Sequence, residues 1–458
     1  MSYKRAIQSI NGRLDGHYQH EGVKWMLARE MTEGPKGGIL ADDMGLGKTM
    51  QAIATMRGNP MKTIIVSIVG TVAQWRDALI DFGGYKPVVL NPSFTGILPD
   101  LEVLVTTYSV FQRDCGALKA IKKVNWGRVI LDEGHIIRNK NTRVYKELSE
   151  LSTLQSQIRW ILSGTPIQNS KKDILNLAQW IGYSNFQDID TLINTILLRR
   201  IHEEQAALNP RMALPPLDTN IIRLSFNTEE EESFYRDVED RTLTSPKNQN
   251  DTIEHIMRCR QACTHPLLYH QGINKKEKKR KHETTSSPSS TIFSEDFLSS
   301  KFKFIVDDIA SVPKQKCLIF CTWTMEMKLL HKHLTSRNIS CLMYDGKISR
   351  DNKEAVLYNY KKTNIQVLIL QINCGSAGLN LQCASRIYIS TPQWNPCIEL
   401  QAIGRAYRKG QTNIVKCFRV CMKDTIEEKC TDVQDDKIDI ISEIMGDRAF
   451  TSRMGASS

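Results

Sequence analysis

The sequence predicts an α/β protein in which two mostly parallel sheets, each wrapped by helices, follow one another along the chain. Three observations lead to this fold class. The 458 residues exceed the usual size of one core, short apolar runs alternate with helix-like segments, and this alternation occurs twice. Because such sheets bind ligands at the carboxyl ends of their strands, residues that directly follow the runs are the first candidates for a functional site. The runs are Thr63–Ser67, Pro87–Leu90, Val103–Thr107, Arg128–Leu131 and Trp160–Leu162 in the first set, and Cys317–Phe320, Cys341–Tyr344, Val367–Leu370, Arg386–Ile389 and Val415–Val420 in the second.

The composition fits a globular protein and favours a polyanionic partner. Hydrophobic residues make up 41% and aromatic residues 7% of the chain, and no apolar run approaches the ~20 residues that a membrane span needs. Residues 1–16 lack the apolar core of a secretory signal, so we expect neither secretion nor a membrane partner. The formal net charge of +11 favours nucleic acid, although many basic proteins bind none.

The twelve cysteines indicate buried thiols rather than a metal site. No two of them have the C-x-x-C spacing of a zinc module, so we expect no structural zinc. Three pairs are spaced four apart, and two of these lie in apolar, strand-like stretches, which is typical of buried, reduced thiols inside a cell. The pairs are Cys259/Cys263, Cys317/Cys321 and Cys417/Cys421.

Changes in composition divide the chain into five predicted regions. The clearest linker is the stretch KKEKKRKHETTSSPSS at 275–290, which is charged, then rich in Ser, Thr and Pro, and has no apolar face to bury. Its tetrad Lys278–Lys281 fits a nuclear-import signal, a phosphate-contacting patch or simply a solvated charge run. The predicted regions are a first lobe at 1–205, a helical insertion at 206–270, a flexible basic linker at 271–298, a second lobe at 299–445 and a tail at 446–458.

The stretch GILADDMGLGKTMQAIA at 38–54 has the residues of a phosphate-binding turn. Gly45 and Gly47 remove side chains, so that backbone N–H groups can converge on phosphate oxygens at the start of the following helix. Lys48 supplies a positive charge for the β- and γ-phosphates, and the Thr49 hydroxyl is placed to hold Mg²⁺. The general pattern has Gly six residues before Lys48, where this chain has Asp42, and an ordinary strand-to-helix turn is the alternative. The candidate nucleotide-binding residues here are Asp42, Asp43, Met44, Gly45, Leu46, Gly47, Lys48 and Thr49.

Polar residues also follow the fourth and fifth runs of the first set. Asp132 and Glu133 end the fourth run, where Asp132 can hold Mg²⁺ through water and Glu133 can deprotonate an attacking water. Ser163–Thr165 end the fifth run in the same way. Gln19, near the start of a predicted amphipathic helix, offers the amide donor and acceptor that suit an adenine edge, although such a residue more often lies on the surface.

The second set of runs lacks a phosphate loop of its own. Gly375–Leu381 is rich in glycine but contains no Gly-Lys-Thr. Further along, Gln401 precedes Arg405 and Arg408, and the spacing of three predicts that both arginines share one helix face. The second lobe is therefore predicted to repeat the architecture of the first without its nucleotide loop.

Taken together, these motifs closely resemble those of the Swi/Snf family of superfamily 2 helicase-like, DNA-dependent ATPases. The resemblance extends from about residue 14 to residue 430 and consists of near-verbatim signatures in the correct order, which argues against an ordinary turn at 42–49. The signatures are YQHEGVKW (18–25), GGILADDMGLGKTMQ (37–51), ILDEGH (130–135), LSGTPIQN (162–169), RQACTHP (260–266), YDG (344–346), GSAGLNLQCAS (375–385), WNPCIELQAIGRAYRKGQT (394–412) and TIEEK (425–429).

The resemblance implies two RecA-like lobes with ATP and Mg²⁺ held between them. It implies that Gln19 reads adenine, that Lys48 and Thr49 bind phosphate and Mg²⁺, and that Asp132 and Glu133 carry out hydrolysis. Because the matching arginines lie on the other lobe, hydrolysis would require closure of the lobes. The further implied roles are coupling of hydrolysis to lobe movement for His135, Ser163, Gly164 and Thr165, catalysis for Gln401, Arg405 and Arg408, and DNA binding for Thr107, Asn380 and Trp394.

The sequence is thus interpreted as a DNA-dependent ATPase that translocates along double-stranded DNA in chromatin remodelling, transcription or repair. Its short length is similar to that of the family's reduced viral members, including the baculovirus global transactivators. Expected partners are double-stranded DNA and chromatin or transcription proteins, in the nucleus, or in the host nucleus if the protein is viral. A strand-separating helicase and a non-catalytic transcription regulator of the same fold are the alternatives.

Overall fold

The computed structural model describes residues 3–151, 157–184, 188–243, 249–279, 291–375 and 378–455. The chain divides into two compact units, each containing one parallel sheet. The first unit comprises Met1–Leu214 and Asp439–Ala449, and the second comprises Pro215–Ile438 and Phe450–Ser458. The predicted fold class, two α/β lobes with parallel sheets in tandem, is confirmed.

The first unit is built on a seven-stranded sheet with the order β3-β4-β2-β5-β6-β1-β7, in which all neighbours are parallel. The central strands are almost completely buried, and each has an apolar middle with polar residues towards its ends, as in a parallel sheet covered on both faces. The strands are β1 (Lys36–Leu40), β2 (Thr63–Ser67), β3 (Val88–Val89), β4 (Val103–Thr107), β5 (Arg128–Asp132), β6 (Ile158–Leu162) and β7 (Leu197–Leu198).

The helices of the first unit bury apolar side chains against this sheet. A large cluster on one face joins Trp75 and Leu79 with Trp160 and Ile53, all at most 1% exposed. The helices are α1 (Tyr3–Gln8), α2 (His17–Glu30), α3 (Lys48–Gly58), α4 (Val72–Asp81), α5 (Gly116–Lys122), α6 (Arg143–Glu150), α7 (Lys171–Ile181), α8 (Ile189–Ile196) and α9 (His202–Leu208), with 3₁₀ turns at Val69–Thr71, Tyr108–Gln112, Gly134–Ile137 and Pro210–Met212.

The second unit contains a six-stranded parallel sheet with the order β10-β11-β9-β12-β13-β8. Alternate residues of its central strands point into separate apolar clusters, one containing Ile319 and Ile369 and the other Leu318 and Leu368, as the period of two requires. The strands are β8 (Leu217–Leu224), β9 (Cys317–Cys321), β10 (Cys341–Tyr344), β11 (Val367–Gln371), β12 (Arg386–Ile389) and β13 (Val415–Met422).

Strand β8 lies inside the 206–270 segment, which is predicted from the sequence to be a helical insertion. It pairs in parallel with β13 along its whole length, from Leu217 opposite Val415 to Leu224 opposite Met422. As an edge strand it is only half-buried and carries alternating polar residues (LDTNIIRL), so it lacks the apolar run that marks the central strands. The rest of this segment is largely helical, as expected.

One long helix contributes residues to both units. Residues 426–438 of this helix, α18, belong to the second unit and residues 439–445 to the first. The helices are α10 (Glu229–Leu243), α11 (Gln249–Thr264), α12 (Pro266–Lys279), α13 (Ser300–Ala310), α14 (Thr324–Ser336), α15 (Arg350–Lys362), α16 (Ile372–Gly375), α17 (Pro396–Ile403), α18 (Ile426–Met445) and α19 (Arg448–Met454), with a 3₁₀ turn at Thr291–Phe293.

The predicted linker and tail are described only in part. Helix α12 extends to Lys279, inside the proposed linker at 271–298, whereas residues 280–290 and half of the basic tetrad lie outside the described residues. The predicted tail at 446–458 contains α19 and the buried Asp447.

All twelve cysteines are free, and eight of them are buried. The six that form the spaced pairs are among the eight, so the prediction of buried, reduced thiols is confirmed for them. No helix within the described ranges is both long and apolar enough to cross a membrane.

Candidate functional site

The strand register brings three of the predicted motifs to one edge of the first sheet. Leu40 at the end of β1 lies opposite Leu162 at the end of β6, and Leu162 in turn lies opposite Asp132 at the end of β5. All three strands are parallel, so the segments that follow them leave the sheet at the same edge. The predicted phosphate loop, the 163–165 segment and the acid pair are therefore neighbours.

The phosphate loop needs glycine at two positions. Gly45 and Gly47 have φ values of 92° and 76°, in the left-handed region that only glycine enters readily. A Cβ on Gly47 would also lie 2.3 Å from the Gln19 Nε2 atom, closer than any real contact. Helix α3 begins directly afterwards, and no side chain within the described residues caps its first turn. The backbone N–H groups and the positive end of the helix dipole thus face the loop.

Lys48 extends back along this loop. Its Nζ donates hydrogen bonds to the carbonyl oxygens of Asp42 at 2.6 Å and Asp43 at 3.1 Å. Burial lowers the pKa of Lys48, while the carboxylates of Glu133, Asp42, Asp43 and Asp132 act in the opposite direction. The ammonium group therefore lies within electrostatic range of both members of the acid pair.

Asp132 is held by three donors, one from the last residue of β2 and two from the segment that follows it. Its Oδ2 accepts hydrogen bonds from Ser67 Oγ at 2.7 Å, Thr71 Oγ1 at 3.1 Å and Trp75 Nε1 at 2.9 Å. Burial and the neighbouring Glu133 carboxylate raise the pKa of Asp132, and these hydrogen bonds counteract that effect. These three bonds all fall on Oδ2 and together fix the orientation of the carboxylate.

Glu133 has a strained backbone. Its φ of 51° and ψ of 45° lie in the left-handed region, which only three non-glycine residues of the described chain enter. Such strain costs on the order of 1–3 kcal/mol and is concentrated at functional sites. The conformation turns the chain sharply at the end of β5 and places the Glu133 side chain beside His135.

The predicted coupling residues form a connected chain with Glu133. His135 Nδ1 lies 3.4 Å from Glu133 Oε2 and 2.9 Å from Ser163 Oγ, and that hydroxyl accepts a hydrogen bond from the Thr165 backbone N–H at 3.2 Å. His135, Ser163 and Thr165 are all buried. Between them, Gly164 packs on the phosphate loop, since a Cβ there would lie 3.5 Å from the Asp42 carbonyl oxygen. These contacts connect Glu133, through His135, to the 163–165 segment.

Gln19 lies against the phosphate loop and is only 3% exposed. Its Nε2 donates to the Leu46 carbonyl oxygen at 3.1 Å, and its Oε1 accepts from the Asp15 N–H at 2.6 Å. Both ends of the amide are thus engaged within the unit in this structure. Gln19 remains a proposed adenine-reading residue, and its bond to Leu46 is a direct contact with the loop.

Arg200, which no motif in the sequence indicates, holds the Asp42 carboxylate. Strand β7 pairs in parallel with β1, so the residues after it run beside the phosphate loop, and the Asp43 N–H donates to the Arg200 carbonyl oxygen at 3.0 Å. Arg200 Nε donates to Asp42 Oδ1 at 2.8 Å and its Nη2 donates to Oδ2 at 2.5 Å. Gln51 bonds to both side chains. This bidentate pair, in which the Asp42 side chain is fully buried and the Arg200 side chain is 11% exposed, explains the carboxylate at a position where the general pattern has glycine.

Arg199 and His202 hold the same loop from the other side. Arg199 Nη1 donates to the carbonyl oxygens of Ala41 at 2.8 Å and Gly164 at 3.0 Å. The His202 Nε2 atom is 2.8 Å from the Met44 carbonyl oxygen. The only signal in the sequence is LLRR before a polar segment, and a two-residue strand is too short to show a periodicity.

In the second unit, the predicted catalytic residues are located at the end of α17. Gln401 lies on that helix and is buried, but the helix ends at Ile403 with Gly404 as its C-cap. Arg405 and Arg408 lie in the turns that follow, so the expectation that they share one helix face is wrong. Tight backbone turns such as Arg408 N–H to the Ala406 carbonyl oxygen replace the helical pattern there. Arg405 is buried, and burial lowers the pKa of the half-buried Arg408.

The candidate DNA-binding residues are distributed over both units. In the first unit, Thr107 ends β4 and its Oγ1 lies 2.6 Å from Ser109 Oγ. In the second unit, Asn380 is exposed and Trp394 is half-buried, with its carbonyl oxygen accepting a hydrogen bond from Lys437 at 2.6 Å. Residues 376–377 of the glycine-rich stretch lie outside the described residues.

Fold and site together define a protein of two parallel α/β units, the first of which carries a candidate phosphate loop. Comparison with known families gives a more specific result. A SNF2-related domain matches residues 18–192 and a helicase conserved C-terminal domain matches residues 300–410, which together exceed half of the chain. The chain belongs to the Swi/Snf family of helicase-like proteins.

Its relatives include a viral protein of similar length and much longer proteins. The "Probable global transactivator" of Orgyia pseudotsugata multicapsid polyhedrosis virus is 27% identical, over 93% of this chain and 90% of that protein. "Chromodomain-helicase-DNA-binding protein 6" of Mus musculus is 27% identical over 94% of this chain, which spans only 17% of that protein's length. The solved "Sulfolobus solfataricus SWI2/SNF2 ATPase core in complex with dsDNA" aligns over 98% of this chain and 95% of that one, with a TM-score of 0.42 and 21% identity.

Proposed function

We propose that the protein is a DNA-stimulated ATPase that couples ATP hydrolysis to translocation along double-stranded DNA. The observation that carries this proposal is the register of β1, β6 and β5, which brings the phosphate loop, the coupling residues and the acid pair to one sheet edge. A positive loop beside two carboxylates is the arrangement that phosphoryl transfer to water requires. Membership of the Swi/Snf family supports the same activity.

The residues present fit ATP and Mg²⁺. The left-handed Gly47 and the uncapped start of α3 direct backbone N–H groups at the loop, and Lys48 adds a charge now shared with two carbonyl oxygens. We propose that these groups hold the phosphates, while Thr49 and, through water, Asp132 hold Mg²⁺. When bound, the metal would neutralise charge that develops on the phosphate oxygens.

We assign proton abstraction from the attacking water to Glu133. Its strained backbone and the His135 contact fix the carboxylate at the end of β5, next to Asp132. His135 orients Glu133 and passes its position through Ser163 to the backbone of Thr165. This chain is the route by which hydrolysis would reach the 163–165 segment, the proposed coupling element.

The second unit is proposed to supply the remaining catalytic groups. Gln401, Arg405 and Arg408 match the family motif whose arginines act on the γ-phosphate, and Arg suits this role because its charge is permanent and planar. Nucleotide binding is thus proposed for the first unit, which contains the predicted lobe at 1–205, and the arginine motif for the second unit, which contains most of the predicted lobe at 299–445.

Double-stranded DNA is the proposed partner. The net charge of +11 favours a polyanion, and phosphate contacts carry no sequence information, so binding should be sequence-independent. Thr107, Asn380 and Trp394 are proposed contacts. Relatives named as a chromodomain helicase, a DNA repair protein and a viral transactivator support a role in chromatin remodelling, repair or transcription, in the nucleus or a host nucleus.

A steady-state ATPase assay with and without duplex DNA tests the proposal. We expect turnover to rise with DNA of any sequence and DNA affinity to fall steeply as salt rises to physiological strength. Displacement of a third strand from a DNA triplex, without separation of the duplex, would demonstrate translocation. Duplex separation would instead identify a helicase, and DNA binding without ATP turnover would identify a non-catalytic regulator.

A further inference from the structure

The last residues of α18 return the chain to the first unit and bury an acid there. Gly446 has a φ of 63°, and the Asp447 N–H donates to the Ser442 carbonyl oxygen at 3.2 Å, which is the pattern of a glycine-terminated helix. This closed turn fixes the backbone of Asp447. The residue as a whole is only 2% exposed. Its Oδ2 accepts a hydrogen bond from Arg199 Nη2.

Arg199 is the side chain that joins the two loops of the candidate site. Through Nη1 it bonds to Ala41 at the start of the phosphate loop and to Gly164 in the coupling segment. Its Nη2 lies 3.4 Å from Asp43 Oδ1, a long contact for an ion pair. Of the two carboxylates that contact this guanidinium group, Asp447 is therefore the closer, and the side chains of Arg199 and Asp447 are at least 93% buried.

We propose that Asp447 is a positioning residue of the ATP site and acts through Arg199. The inference rests on the proposed ATPase function. A guanidinium group is planar, and fixing one of its nitrogens fixes the direction of the others. With Asp447 in place, Nη1 is aimed at both loop carbonyls. Without it, the long Asp43 contact is the remaining ionic partner among the described residues, and the guanidinium can turn away.

A purely mechanical role for the segment is the competing explanation. The same segment carries a second ion pair, from Lys171 Nζ to Glu443 Oε1 at 3.3 Å, whose side chains are 50% and 69% exposed. Exposed pairs of this kind contribute little to stability. Glu443 does not reach the phosphate loop in the described structure, so Glu443→Gln is a matched control that changes one charge in the same segment.

The experiment compares Asp447→Asn and Glu443→Gln in the full chain with ATP and duplex DNA. We expect Asp447→Asn to lower kcat about tenfold, because a small misplacement of catalytic loops has effects of this order or larger, while the Kd for ATP changes less than about threefold. Glu443→Gln should leave kcat and Kd as in the wild type. Asp447→Glu, which retains the carboxylate, should recover most of the lost turnover.

Two further readouts separate positioning from anchoring. In an Arg199→Met background, Asp447→Asn should cause no further loss of kcat, whereas an anchoring role would add its effect to that of Arg199→Met. Hydrogen exchange needs no turnover, and Asp447→Asn should speed exchange of the amides at 41–49 and 163–165 about tenfold. Unchanged exchange there, or additive kcat losses, would overturn the inference. A wild-type chain without ATP turnover would refute the proposed function alone, since the exchange result still decides the role of Asp447.

Discussion

The carboxyl edges of the two sheets differ in what their charged side chains do. At the edge of the first sheet, Lys48 and the acid pair face a glycine-bearing loop, and Glu133 tolerates a left-handed backbone. At the edge of the second sheet the charged side chains are satisfied by partners inside the unit. Glu326 accepts hydrogen bonds from the N–H groups of Thr322 and Trp323 at 2.9 and 3.1 Å and also contacts Ser390.

A second buried group of the same unit is also satisfied internally. Lys301 donates to Glu427 at 2.5 Å and to the Ser390 carbonyl oxygen at 2.8 Å, and both charged residues are fully buried. Buried charges of this kind are retained when they are paired and satisfied by hydrogen bonds. The strand ends of the two units thus differ in use. Those of the first unit carry the proposed reactive groups. Those of the second unit are neutralised internally, and the proposed chemistry of that unit lies in the turns after α17.

The largest expected effect comes from the arginines of those turns. Arg405→Ala and Arg408→Ala should each reduce DNA-stimulated turnover by about 10⁴-fold, since an arginine that acts on the transferring phosphoryl group contributes on this order. ATP and DNA affinities should change far less, because the charge that they stabilise develops in the transition state. Turnover and both affinities need to be measured on folded protein.

Arg337→Ala is the matched control for these variants, because Arg337 lies on the surface of the same unit and pairs with Asp307. It should leave turnover unchanged. If Arg405→Ala and Arg408→Ala lowered turnover only as far as they weaken DNA binding, the second edge would have no part in the chemistry.

Glu133 gives the next largest effect and contrasts directly with Glu326. Glu133→Gln should retain ATP binding and lose about 10³-fold in turnover, because the amide cannot accept the proton of the attacking water. Glu326→Gln alters the acid that follows a strand of the second sheet and should leave turnover within about threefold of the wild type, with about 1 kcal/mol lower stability. Wild-type turnover in Glu133→Gln would remove Glu133 from its proposed role.

Two buried ion pairs provide a third comparison. Arg200→Ala leaves the Asp42 carboxylate buried without its bidentate partner, and Lys301→Met does the same to Glu427, so each should lower the free energy of unfolding by about 3 kcal/mol. Only Arg200→Ala should also weaken ATP binding, because Asp42 belongs to the phosphate loop. Urea unfolding and ATP titration of both variants test this, and equal ATP affinities would show that the Arg200 pair supports the fold alone.

These comparisons also show what the sequence could predict. Residues whose role depends on local backbone chemistry, such as Gly47 and Glu133, are identified from motifs, because a left-handed turn or a strand end leaves its mark within a few positions. Arg199, Arg200 and Asp447 were missed, because their partners lie far along the chain and only the pairing of β7 with β1 and the return of α18 bring them to the loop. Edge strand β8 was missed for the related reason that its partner strand lies about 200 residues away.

The smallest expected effect is the pH dependence that the second unit imposes on stability. His265, between α11 and α12, donates from Nε2 to the Phe297 carbonyl oxygen at 3.0 Å, while its Nδ1 accepts the Leu267 N–H at 3.1 Å. Burial lowers the pKa of His265 to about 4, and burial also lowers the pKa of His333, which bonds to the same carbonyl oxygen. Both imidazoles are therefore held neutral in the folded state.

The sign of the effect follows from which state binds the proton more tightly. In the unfolded chain His265 titrates near its ordinary pKa of about 6.5, so protons favour unfolding once the pH falls below that value, and the loss continues towards about pH 4. Between about pH 7 and about pH 5 this one group should remove about 2 kcal/mol of stability.

His265→Asn, whose amide can still donate and accept, should flatten the pH profile by that amount. His17→Asn is the control, because the His17 side chain is 89% exposed and folding does not bury it. Chemical unfolding at several pH values measures the slopes, and a His265→Asn profile as steep as that of the wild type would mean that His265 is protonated in the folded unit.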